Sequence, residues 1–134
     1  MGILIDTTVL INTERGRLDL APHLAAHAGE QVFLSVISVS ELMYGAYRAP
    51  DADQRNRRLA VAEALVSRFA ILPADASVAR MHARVKADLD ARGTPVGPHD
   101  LWLAATALAH GLTLVTANLR EFRRVPGLQV DNWS

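Results

Sequence analysis

Short apolar runs with no polar face constrain this chain more than any other feature. Gly2-Ile-Leu-Ile, Val32-Phe-Leu and Leu112-Thr-Leu-Val carry hydrophobic side chains on both sides of a two-residue repeat. A strand of that kind needs cover on both faces, which is the condition of a parallel sheet between layers of helix. The segments between the runs read as those helices. Ala52–Phe69 spaces Leu59, Ala62, Leu65, Val66 and Phe69 at helical intervals. Further helices are expected at Thr7–Thr13, Leu18–Ala28, Ser38–Tyr47, Ala76–Ala91 and His99–His110. Strands are expected at Ile3–Ile5, Val32–Ser35, Ile71–Leu72 and Leu112–Thr116, with a weak last one at Leu128–Val130. The fold class is therefore α/β, with a central parallel β-sheet flanked by α-helices. At 134 residues, with no repeat or linker, positions 1–134 form one domain.

The apolar runs stop on groups that a core has no use for. Gly2-Ile-Leu-Ile ends at Asp6, and Leu112-Thr-Leu-Val-Thr-Ala ends at Asn118. The second run leads through Ser38-Val-Ser to Glu41, and Asp100 opens the apolar stretch Leu101 to Leu108. Taken singly, each has an ordinary role open to it. Asp6 can cap the helix from Thr7. Ser38-Val-Ser-Glu41 has the form of a capping box. Asp100 suits the first turn of a helix, and Asn118 suits a turn. These roles do not explain why all four fall at one edge of a single sheet. In α/β sheets that edge, beyond the carboxyl ends of the strands, is where ligands bind. Converging carboxylates there form an anionic pocket for divalent cations.

Other chemistries are excluded by what is missing. No cysteine is present, so disulfides, thiolate metal sites and a cysteine nucleophile are out. There is no G-x-S-x-G elbow, Walker loop or G-x-G-x-x-G. His23 and His27 have i,i+4 spacing without the glutamate of a zinc-protease helix. A phosphoacceptor receiver domain needs a lysine at the end of a late strand, but the one lysine, Lys86, is mid-helix. A D-x-D phosphatase fails because Asp6 is followed by Thr7-Thr8. The net charge is zero, which argues against a strongly basic nucleic-acid binder. Thirteen of the fourteen basic residues are Arg, a preference that suits phosphate but that GC-rich coding also produces. No segment reaches the ~20 apolar residues of a membrane span, and no signal peptide is seen, so a cytoplasmic protein is expected.

Four ordered segments closely resemble PIN-domain ribonucleases. They are Gly2-Ile-Leu-Ile-Asp6-Thr-Thr-Val, Ser38-Val-Ser-Glu41-Leu-Met-Tyr-Gly45, Pro95-Val-Gly-Pro-His-Asp100-Leu-Trp and Leu114-Val-Thr-Ala-Asn118-Leu-Arg-Glu121-Phe122. Arg124-Val-Pro-Gly-Leu128 and Asp131-Asn-Trp133 add a similarity to the VapC toxins of bacterial toxin–antitoxin modules. The resemblance runs from end to end. It implies a Mg²⁺- or Mn²⁺-dependent endoribonuclease with Asp6, Glu41 and Asp100 as acidic metal-binding and catalytic positions. It implies products with a 5′-phosphate and a 3′-hydroxyl. Many PIN domains carry a fourth acid where this chain has Asn118, so the second metal site is in question. Thr7, Thr116 and Glu121 are expected to support the ligands. RNA contacts are expected from Arg48, Arg120, Arg123, Arg124 and His99. The implied partners are RNA, a VapB-type antitoxin and a second copy of the chain in a homodimer. The antitoxin is expected along Ser38–Tyr47 and Ala52–Phe69, with Leu42, Met43, Tyr47 and Leu59. The alternative is a catalytically weak PIN-like module that acts by binding RNA or a protein partner.

Overall fold

A computed structural model describes residues 2–134. Five strands, all parallel, form one sheet in the order β3-β2-β1-β4-β5. They are β1 (Gly2–Ile5), β2 (Gln31–Ser35), β3 (Ala70–Leu72), β4 (Thr113–Thr116) and β5 (Val130–Asn132). The connections are α1 (Thr7–Glu14) and α2 (Leu20–Ala26), then α3 (Val36–Tyr47) and α4 (Ala52–Val66), then α5 (Ala76–Arg92) and α6 (Pro98–His110), and last the short α7 (Leu119–Phe122).

The doubly apolar strands do what their sequence demands. In β1, Ile3 and Ile5 point into a core built with α1 to α4, while Leu4 points into a second core built with α5 and α6. In β4, Val115 and Leu114 divide in the same way. Central β1 is held on both sides, pairing Leu4 with Phe33 and with Leu114. Among the described residues no helix is long and apolar enough to cross a membrane.

Several boundaries differ from expectation for identifiable reasons. Helix α3 starts at Val36, because Ser35 rather than Ser38 is its N-cap and accepts from Ile37 N–H at 3.0 Å. Ser38 is buried inside the helix, so the proposed capping box does not exist. Helix α2 begins only at Leu20, where the Asp19 side chain accepts from Ala21 N–H. Helix α4 ends at Val66, and Phe69 packs against the core from the turn that follows. The last strand lies two residues beyond Leu128. Gly127 turns the chain at φ 78°, and Leu128 packs against the second core before Val130 pairs with Leu114. Helix α7 was not expected.

This strand order fixes the position of the site. Successive connections run outward from β1 through β2 to β3, and the chain then returns to β4 on the other side of β1. The switch point lies between β1 and β4, and a crevice opens there beyond their carboxyl ends. Asp6 follows β1 directly, and Asn118 follows β4 by two residues.

Candidate active site

Asp6 occupies the N-cap position of α1, but its side chain makes no capping bond. The carboxylate turns across the switch point. Its Oδ2 accepts from the Thr116 hydroxyl at 2.8 Å and from the Thr8 hydroxyl at 2.6 Å. Thr116 is fixed in turn by Asn118 N–H, which donates to its hydroxyl at 2.9 Å, and by Trp133 N–H, which donates to its carbonyl. Asp6 is only 2% exposed. Burial pushes its pKa up, the hydroxyls of Thr8 and Thr116 oppose that shift, and the charge of Glu41 adds to it.

Glu41 comes from the middle of α3 and caps nothing. Its Oε1 accepts from the Thr7 hydroxyl at 2.8 Å, and Thr7 also lies 3.0 Å from buried Ser38 Oγ. Its Oε2 stands 3.3 Å from His99 Nδ1, an ion pair when His99 is protonated. Neighbouring hydroxyls thus direct both Asp6 and Glu41 toward the crevice.

Asp100 sits in the first turn of α6, which opens with Pro98 at its first position. Its pKa is pushed up to about 7 by burial, by a hydrogen bond with Glu121 and by the charges of Asp6, Glu121 and Glu41. Glu121 moves the other way. Gly97 N–H donates to its Oε2 at 3.2 Å, and the bond with Asp100 and the nearby charges of Arg124 and Arg120 help hold it below its usual value. Their interaction thus shifts the two carboxyls in opposite directions, Asp100 up and Glu121 down. An open cleft of about 340 Å³ runs past Glu41, Gly97, Pro98, His99 and Asp100.

The four strand-end groups do not contribute equally. The charge of Glu41 acts on both Asp6 and Asp100, and that of Asp6 acts on Asp100. Asn118 is the N-cap of α7 and accepts from Arg120 N–H at 3.3 Å, with φ −134°, so it is a cap and not a left-handed turn residue. Glu121 hydrogen-bonds Asp100, whereas Asn118 bonds to Thr116 and Arg120. Thr8 and Ser38 were missed by sequence reasoning. The Asp6-Thr-Thr8 triplet held the signal for Thr8, because a hydroxyl two residues after an acid can fold back onto it. Of the basic residues, Arg120 and Arg124 flank Glu121, while Arg48 packs over the exposed Tyr44 ring at 5.5 Å. Arg123 is an exposed C-cap of α7.

The donor set suits a hard divalent cation. It consists of carboxylates whose mutual repulsion such a cation relieves. Among the described residues, neither Asp6 nor Asp100 is paired with a cationic side chain. Among the described residues no three His, Asp or Glu side chains are placed together so as to hold a metal ion between them.

A parallel sheet with acids gathered at its switch point defines the class as a PIN domain, and the PIN domain family model matches residues 3–128. The chain belongs to this family, and within it to the VapC ribonucleases. It is 37% identical to ribonuclease VapC1 of Rickettsia felis, over 97% of this chain and 95% of that one. It is 36% identical to the tRNA(fMet)-specific endonuclease VapC of Salmonella typhimurium, over 99% of this chain and 98% of the relative. The toxin–antitoxin complex VapBC of Salmonella typhimurium, solved bound to DNA, contains a chain that superposes with a TM-score of 0.91 at 33% identity, covering 100% of this chain and 99% of that one.

Proposed function

We propose that this chain is the toxin of a bacterial toxin–antitoxin pair, an endoribonuclease that works with a divalent metal ion held by Asp6, Asp100 and Glu41. One observation carries the reading. The charge of Glu41 raises the pKa of buried Asp6, and the charges of Asp6 and Glu41 raise that of half-buried Asp100, without a salt bridge to either aspartate among the described residues. Mg²⁺ or Mn²⁺ bound there would lower the pKa of a water molecule and offset charge developing on the scissile phosphate. The chain's own residues prepare that chemistry. Thr8 and Thr116 keep Asp6 aimed and favour its ionised form. Thr7 orients Glu41. Glu121 hydrogen-bonds Asp100 and helps raise its pKa. His99, 61% exposed beside Glu41, is placed to meet the RNA at the rim, and Arg120, Arg123 and Arg124 add positive charge next to Glu121. Phosphate contacts of this kind position a strand without reading its sequence.

Similarity to chains solved as VapBC complexes supports a VapB-type antitoxin as partner. The surface of α3 and α4 is its proposed seat. Tyr47 is 63% exposed there, and Met43 and Leu59 are half-buried. Leu42, 4% exposed, packs mainly in the core and also lines the cleft between α1, α3 and α4. A homodimer acting in the cytoplasm completes the proposal.

The test is to sequence RNA ends after brief expression in cells. New 5′-phosphate ends at defined positions, absent with Asp100→Asn, are expected and name the target. Identical end profiles with and without expression contradict the reading.

A further inference from the structure

A second cleft, of about 350 Å³, opens between α1, α3 and α4, and Glu41 lines both this cleft and the acidic one. The two clefts therefore adjoin at the Glu41 side chain. Arg15 at the end of α1 and Arg57 and Arg58 on α4 line its walls, with Glu14 and the exposed Val61. All three arginines are exposed, and no salt bridge joins them to a carboxylate among the described residues. On a chain of zero net charge this is a local positive excess beside an acidic centre.

Gly45 on α3 also lines this cleft. A glycine inside a helix costs about 1 kcal/mol relative to alanine. A Cβ at Gly45 would meet nothing within 4 Å, so neither packing nor backbone geometry calls for glycine there. Its missing side chain leaves free the cleft it lines.

We propose that this cleft carries single-stranded RNA away from the cleavage centre, with Arg15, Arg57 and Arg58 gripping its phosphates over a passage kept clear at Gly45. This rests on the ribonuclease reading above. A strand with one phosphate at the acids must leave across a neighbouring surface, and the cleft joined at Glu41 supplies unpaired guanidiniums for the phosphates that follow. Arginine suits that role because its planar fork matches phosphate oxygens.

The test measures binding of a short fluorescent single-stranded oligoribonucleotide in EDTA, where the strand stays uncut. The variants are Arg15→Gln/Arg57→Gln/Arg58→Gln, and Gly45→Leu, which fills the cleft without changing charge. The triple variant should bind more weakly, and its slope of log affinity against log salt should flatten by about 2, at ~0.7 per lost phosphate contact. Gly45→Leu should weaken binding with little change in slope. Arg80→Gln/Arg84→Gln, on exposed positions of α5, should match wild type. Wild-type affinity and slope in the triple variant overturn the proposal. So does a triple variant that keeps RNA but no longer retains its co-expressed antitoxin, which assigns the cleft to protein. Wild-type chain that binds no RNA in EDTA and cuts none in Mg²⁺ or Mn²⁺ removes the ribonuclease reading together with this one, whereas intact wild-type binding with an unaffected variant removes this one alone.

Discussion

Thr116, at the end of β4, donates its hydroxyl proton to Asp6 Oδ2, just beyond β1, across 2.8 Å. The bond closes the switch point of the sheet between residues 110 positions apart. Both side chains are buried, so the carboxylate relies on this hydroxyl and that of Thr8 in place of water.

Replacing Thr116 with Val keeps the shape and removes the donor. Supporting bonds of this kind are worth about 10–100-fold in metal affinity. Calorimetric titration with Mn²⁺ should register a loss in that range for Thr116→Val and recovery in Thr116→Ser. Equal affinity in all three proteins would show that the hydroxyl does not support the site.

The raised pKa of Asp100 makes stability depend on pH with a defined sign. Its pKa is raised from 3.8 to about 7 in the folded protein. Between those values the native state binds more protons than the unfolded chain, so stability falls as pH rises and levels off above about 7. Without metal, Asp100→Asn should therefore melt a few degrees higher than wild type at pH 8, and the gap should close toward pH 4. Added Mg²⁺ should stabilise wild type more at pH 8 than at pH 5.5, because the ion competes with the proton. Melting curves in EDTA across this range check the sign. A variant less stable than wild type at pH 8 would contradict it.

Helix α3 depends on Ser35 for its cap, not on Ser38 and Glu41. Ser35→Ala should cost about 1 kcal/mol in urea denaturation. Glu41→Gln leaves the cap intact and should cost less, since it also removes a negative charge beside Asp6 and Asp100.

Much of this architecture was legible because β1 and β4 have no polar face. Ile3, Leu4 and Ile5 require cover on both sides, and only a parallel sheet between helices gives it to all three. The site was legible in outline because strand ends in such a sheet converge. What escaped depended on contacts between distant segments. Nothing local separates a capping Ser38 from a buried one; the difference is that Ser35 caps first and Thr7 arrives from another helix. The opposed pKa shifts of Asp100 and Glu121 arise in part because Gly97 N–H donates to Glu121 across 24 positions of sequence. Arg57 and Arg58 look like solvated helix charge until α1 and α3 enclose them with Glu41.

The central claim is that the acids at the switch point cut RNA through a divalent ion. Purified chain, free of antitoxin, should cleave a single-stranded RNA panel in Mg²⁺ or Mn²⁺ and stop in EDTA. Asp6→Asn and Asp100→Asn, each with a native circular dichroism spectrum, should show no cleavage above background. Cleavage that persists in EDTA, or full activity in either variant, would contradict the account.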